Sequence, residues 1–162
     1  HPWQNEQQAK IRSIAIERIV DLIRNLNPEL TTPIVLLGDF NASSGEKKPI
    51  FNDHLVKLKE AGLVDTADVA KKDTSDVPKA HSLHKMSAKV DGKDTAKVVK
   101  RGNLHIDYLW VPRGTQVKTW ETLSGPGIKW KKIKGEKVPT WTGIIPSDHS
   151  PIIARLSFKQ PK

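Results

Sequence analysis

The chain has 162 residues, with 27 Lys and Arg against 18 Asp and Glu, which gives a net charge of +9. It contains no cysteine, and this excludes disulfides, thiolate catalysis and cysteine-based zinc sites. No apolar run reaches the roughly 20 residues of a bilayer-spanning helix, so we expect a soluble chain without a membrane span.

The first part of the chain predicts one helix and one strand. Between Asn5 and Asn27, apolar residues recur at steps of three and four, and Pro28 ends the helix because the residue before a proline avoids the α region. The apolar run at 34–37 is too short for a helix and favours a strand buried on both faces. The helix residues predicted to face the core are Ile11, Ala15, Ile19, Leu22, Ile23 and Leu26.

A second helix is predicted from Pro49 to about Ala61, where Gly62 stops it. Leu63 begins a short extended piece. Residues 66–101 are polar, rich in lysine and without a sustained period, which predicts a long, partly irregular loop.

The last part of the chain favours strands. Residues 105–111 alternate, with Ile106, Tyr108 and Trp110 on one face. Because helices and consecutive strands mix, we expect an α+β fold with an antiparallel or mixed sheet. Further strands are predicted at 116–123 and 150–158, with a loop broken by glycine and proline at 124–142.

Three polar clusters sit at the ends of apolar runs, where a rigid scaffold presents groups to a ligand. Taken singly, each is also compatible with a plain turn or surface loop. Together they supply three carboxylates, one amide and one imidazole, which suit Mg²⁺ or Mn²⁺ holding a phosphate better than zinc. The clusters are Gly38-Asp39-Phe40-Asn41, His105-Ile106-Asp107-Tyr108 and Ser147-Asp148-His149-Ser150-Pro151.

In order and spacing, these three motifs resemble the endonuclease/exonuclease/phosphatase superfamily, the DNase I-like enzymes. The resemblance implies a two-sheet sandwich flanked by helices, of which residues 1–162 would form the C-terminal portion, mainly the C-terminal sheet and its helices. It also implies a divalent-metal-dependent phosphoesterase, most simply a phosphodiesterase acting on nucleic acid. A lipid or sugar phosphate substrate, and a non-catalytic module that keeps the fold, are the alternatives.

The resemblance also implies roles for individual residues. His149 matches the catalytic histidine at the scissile phosphate, and Asp107 matches the acid that orients it. Asp39 matches the carboxylate that positions or deprotonates water, with a share in metal binding. Asn41 matches the amide that holds a phosphate oxygen or the metal shell. Asp148 matches a metal-side carboxylate.

His1 resembles a catalytic histidine that precedes the first long helix in DNase-like members, and an artificial terminal residue is the alternative. Lys129, Trp130 and Lys131 lie before the Ser-Asp-His motif and suit binding of a phosphate backbone and stacking of a base. A solvated hairpin with Trp130 in the core is the competing interpretation.

The chain departs from the family because no N-terminal sheet, with its metal-binding glutamate, precedes His1. We therefore expect the isolated chain to bind Mg²⁺ weakly and to hydrolyse little. A half-sandwich would expose a broad apolar face, which predicts a companion: the missing N-terminal half as a separate chain, or a second copy. The compartment stays open, and a secreted or extracytoplasmic location agrees with the absence of cysteine.

Overall fold

A computed structural model describes residues 5–42, 49–75, 84–87, 97–101, 105–123, 128–133, 136–141 and 149–158. For the four segments 84–87, 97–101, 128–133 and 136–141, the description covers the backbone alone. No helix within these ranges is long and apolar enough to cross a membrane.

The described elements confirm a mixed fold of helices and small antiparallel sheets. The helices are α1 (Glu6–Leu26), α2 (Asp53–Glu60) and α3 (Thr66–Val69), with a 3-10 turn at Pro49–Phe51. The strands are β1 (Leu36–Asp39), β2 (Leu63–Asp65), β3 (His84–Ser87), β4 (Lys97–Arg101), β5 (Asp107–Pro112), β6 (Gln116–Thr122), β7 (Ile128–Ile133), β8 (Glu136–Trp141) and β9 (Ile152–Ser157). Their order is β1-β5-β2 in one sheet, with β3-β4, β6-β9 and β7-β8 as antiparallel pairs.

Strand β5 is the centre of the three-stranded sheet, and its alternation decides where the core lies. Tyr108 and Trp110 are buried, as predicted, and stack with ring centroids 5.5 Å apart. Phe40 meets the edge of Tyr108 at 5.6 Å. These rings form one core with residues of α1, α2 and β2, namely Ile16, Val20, Leu55, Leu58 and Leu63.

Helix α1 begins where the sequence predicts, because the side chain of Asn5 accepts a hydrogen bond from the Gln7 amide at 2.8 Å. The predicted inward face is confirmed only in part, because Ile19 and Ile23 pack against the core whereas Ala15 is exposed. The described buried positions are Ala9, Ser13, Ile16 and Val20, while Ile11, Leu22 and Leu26 are exposed. The apolar arc of α1 is wider than the strip that the sheet and α2 cover. Ala9 and Ser13 occupy the first half of the covered strip, and Ile16 and Val20 join the core in its second half.

The prediction that the first strand is buried on both faces is also wrong. Strand β1 starts two residues later than predicted, and the side chain of Leu37 is 67% exposed. Only the face carrying Leu36 packs towards the core. Among the described residues, therefore, one side of this sheet is covered by helices and the other side presents leucine to solvent.

Two segments predicted as irregular loops contain regular structure. The segment 66–101 holds α3 and the pair β3-β4, and the segment 124–142 holds the hairpin β7-β8. Lysines interrupt the period of apolar residues in these strands, so the pattern resembles that of a loop. The strands nevertheless form, because backbone hydrogen bonds pair β3 with β4 and β7 with β8.

A buried pair ties β5 to β2 at the start of α3. Nε2 of His105 lies 2.8 Å from Oδ2 of Asp65, and both residues are buried. The other oxygen of Asp65 accepts the amide of Ala67 at 3.0 Å and so caps α3. The His105 ring also packs 4.2 Å from that of Tyr108. One carboxylate therefore joins a strand, a helix start and the aromatic core.

We expect His105→Leu to lower the free energy of unfolding by about 2–4 kcal/mol, because it leaves the buried Asp65 without its side-chain partner. Urea unfolding of this variant and the wild type measures the loss. Asp65→Asn keeps a polar partner for His105 and should lose less, about 1 kcal/mol. A loss below that value for His105→Leu would show that the pair contributes little.

Candidate active site

The register of β1 against β5 places two acids side by side. Asp39 is paired with Asp107, and Leu37 with Leu109, in the antiparallel ladder. Directly opposed residues of such a ladder point to the same face, with Cβ atoms about 4.5–5.5 Å apart. The two carboxylates therefore share the face of the sheet that also carries Leu37.

His149 completes a pair with Asp107 across 42 residues of sequence. Its Nδ1 lies 2.9 Å from Oδ2 and 3.1 Å from Oδ1 of Asp107. Because an ionised carboxylate only accepts, Nδ1 carries the proton that is donated to it. Both side chains are partly buried. Asp107 therefore engages Nδ1 of His149, and Nε2 is the ring nitrogen on the other side of the imidazole.

Asp39 and Asn41 form a tight turn at the end of β1. The Asn41 amide donates to Oδ1 of Asp39 at 2.7 Å, and the Asn41 side chain donates to Oδ2 at 3.1 Å. Asn41 has a φ of 49°, in the left-handed region that asparagine tolerates better than most residues. The turn therefore suits an Asp-x-Asn sequence, and it holds both polar side chains together at the sheet end.

The electrostatic environment raises the pKa of Asp39 above its ordinary value. Although the residue is exposed, protein atoms around its carboxylate remove hydration, and this is the largest cause. The neighbouring charge of Asp107 raises the pKa further. The hydrogen bond from Asn41 and the charges of His149 and Arg12 act in the opposite direction. The two neighbouring acids thus have an affinity for positive charge.

Arg12 is a charged neighbour of this site that the sequence interpretation missed. A charged residue of a surface helix is expected on its polar side, yet Arg12 is half-buried and its charge acts on Asp39. Burial lowers the pKa of Arg12, while the charge of Asp39 raises it. Its neighbour Ser13 lies on the buried strip of α1, a placement that the sequence pattern does not indicate.

The structure brings together Asp39, Asn41, Asp107 and His149. His1 and Asp148 lie outside the described residues. Lys129, Trp130 and Lys131 belong to strand β7, whose backbone pairs with β8.

The described residues fit a divalent metal ion only in part. Asp39 offers a hard carboxylate oxygen of the kind that Mg²⁺ and Mn²⁺ prefer. Among the described ranges, however, no three histidine, cysteine, aspartate or glutamate side chains are grouped to hold a metal. We therefore derive no catalytic step through a metal from this geometry.

No family model and no curated protein matches the chain. Its fold, however, matches solved structures. A Bacteroides thetaiotaomicron endonuclease/exonuclease/phosphatase family protein matches at 20% identity and a TM-score of 0.56, over 94% of this chain and 47% of that one. A Bacteroides vulgatus endonuclease/exonuclease/phosphatase matches at 17% identity and 0.54, over 93% and 45%.

A mannosyl-6-phosphatase of Bacteroides thetaiotaomicron matches at 19% identity and a TM-score of 0.54, over 92% of this chain and 46% of that one. The chain thus spans slightly less than half the length of the proteins whose fold it shares. The fold expected from the three motifs is confirmed by these likenesses.

We expect Asp39→Asn to leave the melting temperature at pH 7 unchanged or higher by up to about 3 °C. A raised pKa means that ionised Asp39 opposes folding above its ordinary pKa of 3.8, and the amide removes that charge. The gain over the wild type should therefore vanish as the pH falls below 4. Thermal unfolding followed across pH 3–7 measures it.

Asp21→Asn is the control, because Asp21 lies on the exposed side of α1, away from the site. A loss of several degrees in Asp39→Asn at pH 7, with none in the control, would contradict the assigned environment.

Proposed function

We propose that this chain, which has the fold of endonuclease/exonuclease/phosphatase proteins, is part of a divalent-metal-dependent phosphoesterase. The observation that carries the proposal is the Asp107–His149 pair beside the Asp39–Asn41 turn, at the ends of two paired strands. An acid–histidine pair next to a carboxylate and an amide provides a base, an orienting acid and a donor within one site.

His149 would act on the phosphoryl oxygens from Nε2. Asp107 fixes the ring by accepting from Nδ1, and a hydrogen bond donated from the ring to the phosphate would stabilise negative charge growing in the transition state. Asn41 would donate a hydrogen bond to another phosphate oxygen. These contacts position the phosphorus for attack in line with the leaving oxygen.

Asp39 would orient and deprotonate the attacking water. Its pKa is displaced upward from that of a free carboxylate, towards the range in which a carboxylate is a more effective base. Mg²⁺ or Mn²⁺, when bound, would neutralise charge on the phosphate. Asp39 and Asp148 are the residues we propose as its protein ligands.

For the substrate, we propose a phosphodiester of nucleic acid. The net charge of +9 supports this, since a basic chain attracts a polyanion. Lys129, Trp130 and Lys131 of β7 are proposed to contact the backbone and a base. A sugar phosphate is the second candidate, because one protein of similar fold is named a mannosyl-6-phosphatase.

A non-catalytic module that keeps the fold is the rival interpretation. The joint presence of Asp39, Asn41, Asp107 and His149 in one site argues against it, since binding alone has no need for an oriented histidine.

We also propose that a companion covers the open face of the β1-β5-β2 sheet. Leu37 and Leu109 are paired on that face, Leu37 is largely exposed, and the carboxylates of Asp39 and Asp107 lie on the same face. Proteins of similar fold are about twice as long. An N-terminal half of the length that those proteins have in addition would therefore both bury the leucines and border the site.

The first test is His149→Ala in the assembly of this chain with its N-terminal half. Loss of the positioned imidazole should reduce hydrolysis of a nucleic acid substrate by about 10²- to 10⁴-fold, with little change in substrate binding. Assays of DNA, RNA and mannose 6-phosphate distinguish the two substrate classes. Unchanged turnover in the variant would refute the catalytic role of the histidine.

The second test concerns the open face. Leu37→Lys should weaken association with the N-terminal half by about ten- to a hundredfold, because burial of a leucine side chain is lost. Leu22→Lys is the matched control, since Leu22 is similarly exposed but lies on α1. Sedimentation of the separate chains and of their mixture measures association. A mixture that stays as two unassociated monomers would contradict the companion, and self-association alone would favour a second copy.

A further inference from the structure

We propose that His54 of α2 is a positioning residue that fixes the Asp39–Asn41 turn through the main chain of Phe40. Its Nε2 lies 2.9 Å from the carbonyl oxygen of Phe40, the residue between the two polar members of the turn. His54 is only 1% exposed. It does not reach the substrate side of the site. Its part in catalysis rests on the proposed function, whereas its part in holding the turn does not.

Besides the bonds between Asn41 and Asp39, three hydrogen bonds join this turn and the adjacent Ala42 to other described parts of the chain. The Phe40 amide donates to the carbonyl of Ile106 at 2.8 Å, which fixes the turn to the strand that carries Asp107. The hydroxyl of Tyr108 donates to the carbonyl of Ala42 at 3.1 Å. The bond from His54 differs from these two, because it is the one that comes from a helix.

The acceptor determines which form of His54 the structure uses. A carbonyl oxygen only accepts, so Nε2 must carry a proton. Nδ1 of His54 is buried and has no hydrogen-bond partner among the described residues, which favours the form without a proton there. Burial also lowers the pKa of His54, and the charges of Arg12 and Lys57 lower it further. His54 is thus a neutral, one-proton donor aimed at the turn.

The alternative is that His54 is an ordinary buried histidine with no role in the turn. Its hydrogen-bond acceptor, the carbonyl oxygen of Phe40, argues against this. Phe40 is itself buried, so its carbonyl would otherwise face protein without a donor, at a cost of about 1–3 kcal/mol. Helix α2 is in turn held to α1, because Lys57 pairs with Glu17 and Asp53 accepts a hydrogen bond from the Ser13 hydroxyl. The contacts between α1 and α2, together with the hydrogen bond from His54 to the Phe40 carbonyl, therefore fix the positions of Asp39 and Asn41.

The test compares His54→Gln with His54→Leu in the full chain. Glutamine places an amide N–H near the position of Nε2, whereas leucine fills the space without a donor. In His54→Leu we expect amide hydrogen exchange at Asn41 to accelerate by about tenfold relative to the wild type, with a changed chemical shift of the Asn41 side-chain amide. In His54→Gln both should return most of the way to wild-type values.

Leu58→Ala is the matched control, because Leu58 is fully buried on the same helix but makes no polar contact with the turn. It should lower stability without a selective effect at Asn41. Equal acceleration in Leu58→Ala and His54→Leu would overturn the proposal, and so would a failure of glutamine to restore protection.

Should His54→Leu fail to fold, nitrogen spectra of the unaltered chain decide the matter. They should show His54 protonated at Nε2 alone near pH 7, and a proton at Nδ1 alone would overturn the proposal. In the active assembly, His54→Leu should lower kcat about tenfold with KM little changed. Altered exchange without altered kcat would preserve the positioning of the turn while refuting its link to the proposed catalysis.

Discussion

The pairing of β1 with β5 is the constraint on which the rest of the structure depends. It sets Leu36 opposite Trp110 on the covered face, and Asp39 opposite Asp107 on the open one. Side chains alternate along a strand, so a slip of one residue would send the acids into the aromatic core and the core residues into solvent. The register that buries the aromatic residues on one face therefore also places Asp39 beside Asp107 on the other face. No additional contact is needed to align the two strands.

The two faces of this sheet are energetically unlike. On one side, Phe40, Tyr108 and Trp110 pack edge to face and in a stack beneath the two longer helices. On the other, the leucine of β1 remains largely exposed next to a pair of neighbouring carboxylates. Whatever covers the leucines changes the hydration of the acids as well. Covering that face would therefore also change the pKa of Asp39, because the same water hydrates the leucine and the carboxylates.

The strongest local patterns were sufficient to predict much of the fold. The period of α1 and the alternation of β5 follow from local chemistry, and the bounds of α1 agree with the prediction to within one residue. Helix α2, predicted from Pro49, begins at Asp53, after a 3-10 turn. The three motifs also predicted that Asp107 and His149 would meet, which requires knowledge of a fold rather than of spacing. The residues Asp39 and Asn41 share a turn that their own side chains stabilise, so their proximity is local information.

What failed depended on partners distant in sequence. The sequence of α1 could not show which of its apolar residues face the core, because apolar residues lie on more than one side of this helix. Packing against the sheet and α2 determines which side is buried. The lysine-rich strands β7 and β8 acquire their structure from each other's backbone. Arg12 and His54 gain their places near the site from helix packing, and neither stands in a motif.

Tyr108 is the single tyrosine of the chain. Its hydroxyl bonds to the backbone just after Asn41, its ring stacks on Trp110, and His105 lies against it. The phenol is therefore a native spectroscopic probe where the aromatic core meets the Asp39–Asn41 turn. Because no other tyrosine is present, its ring resonances report on that junction without a label.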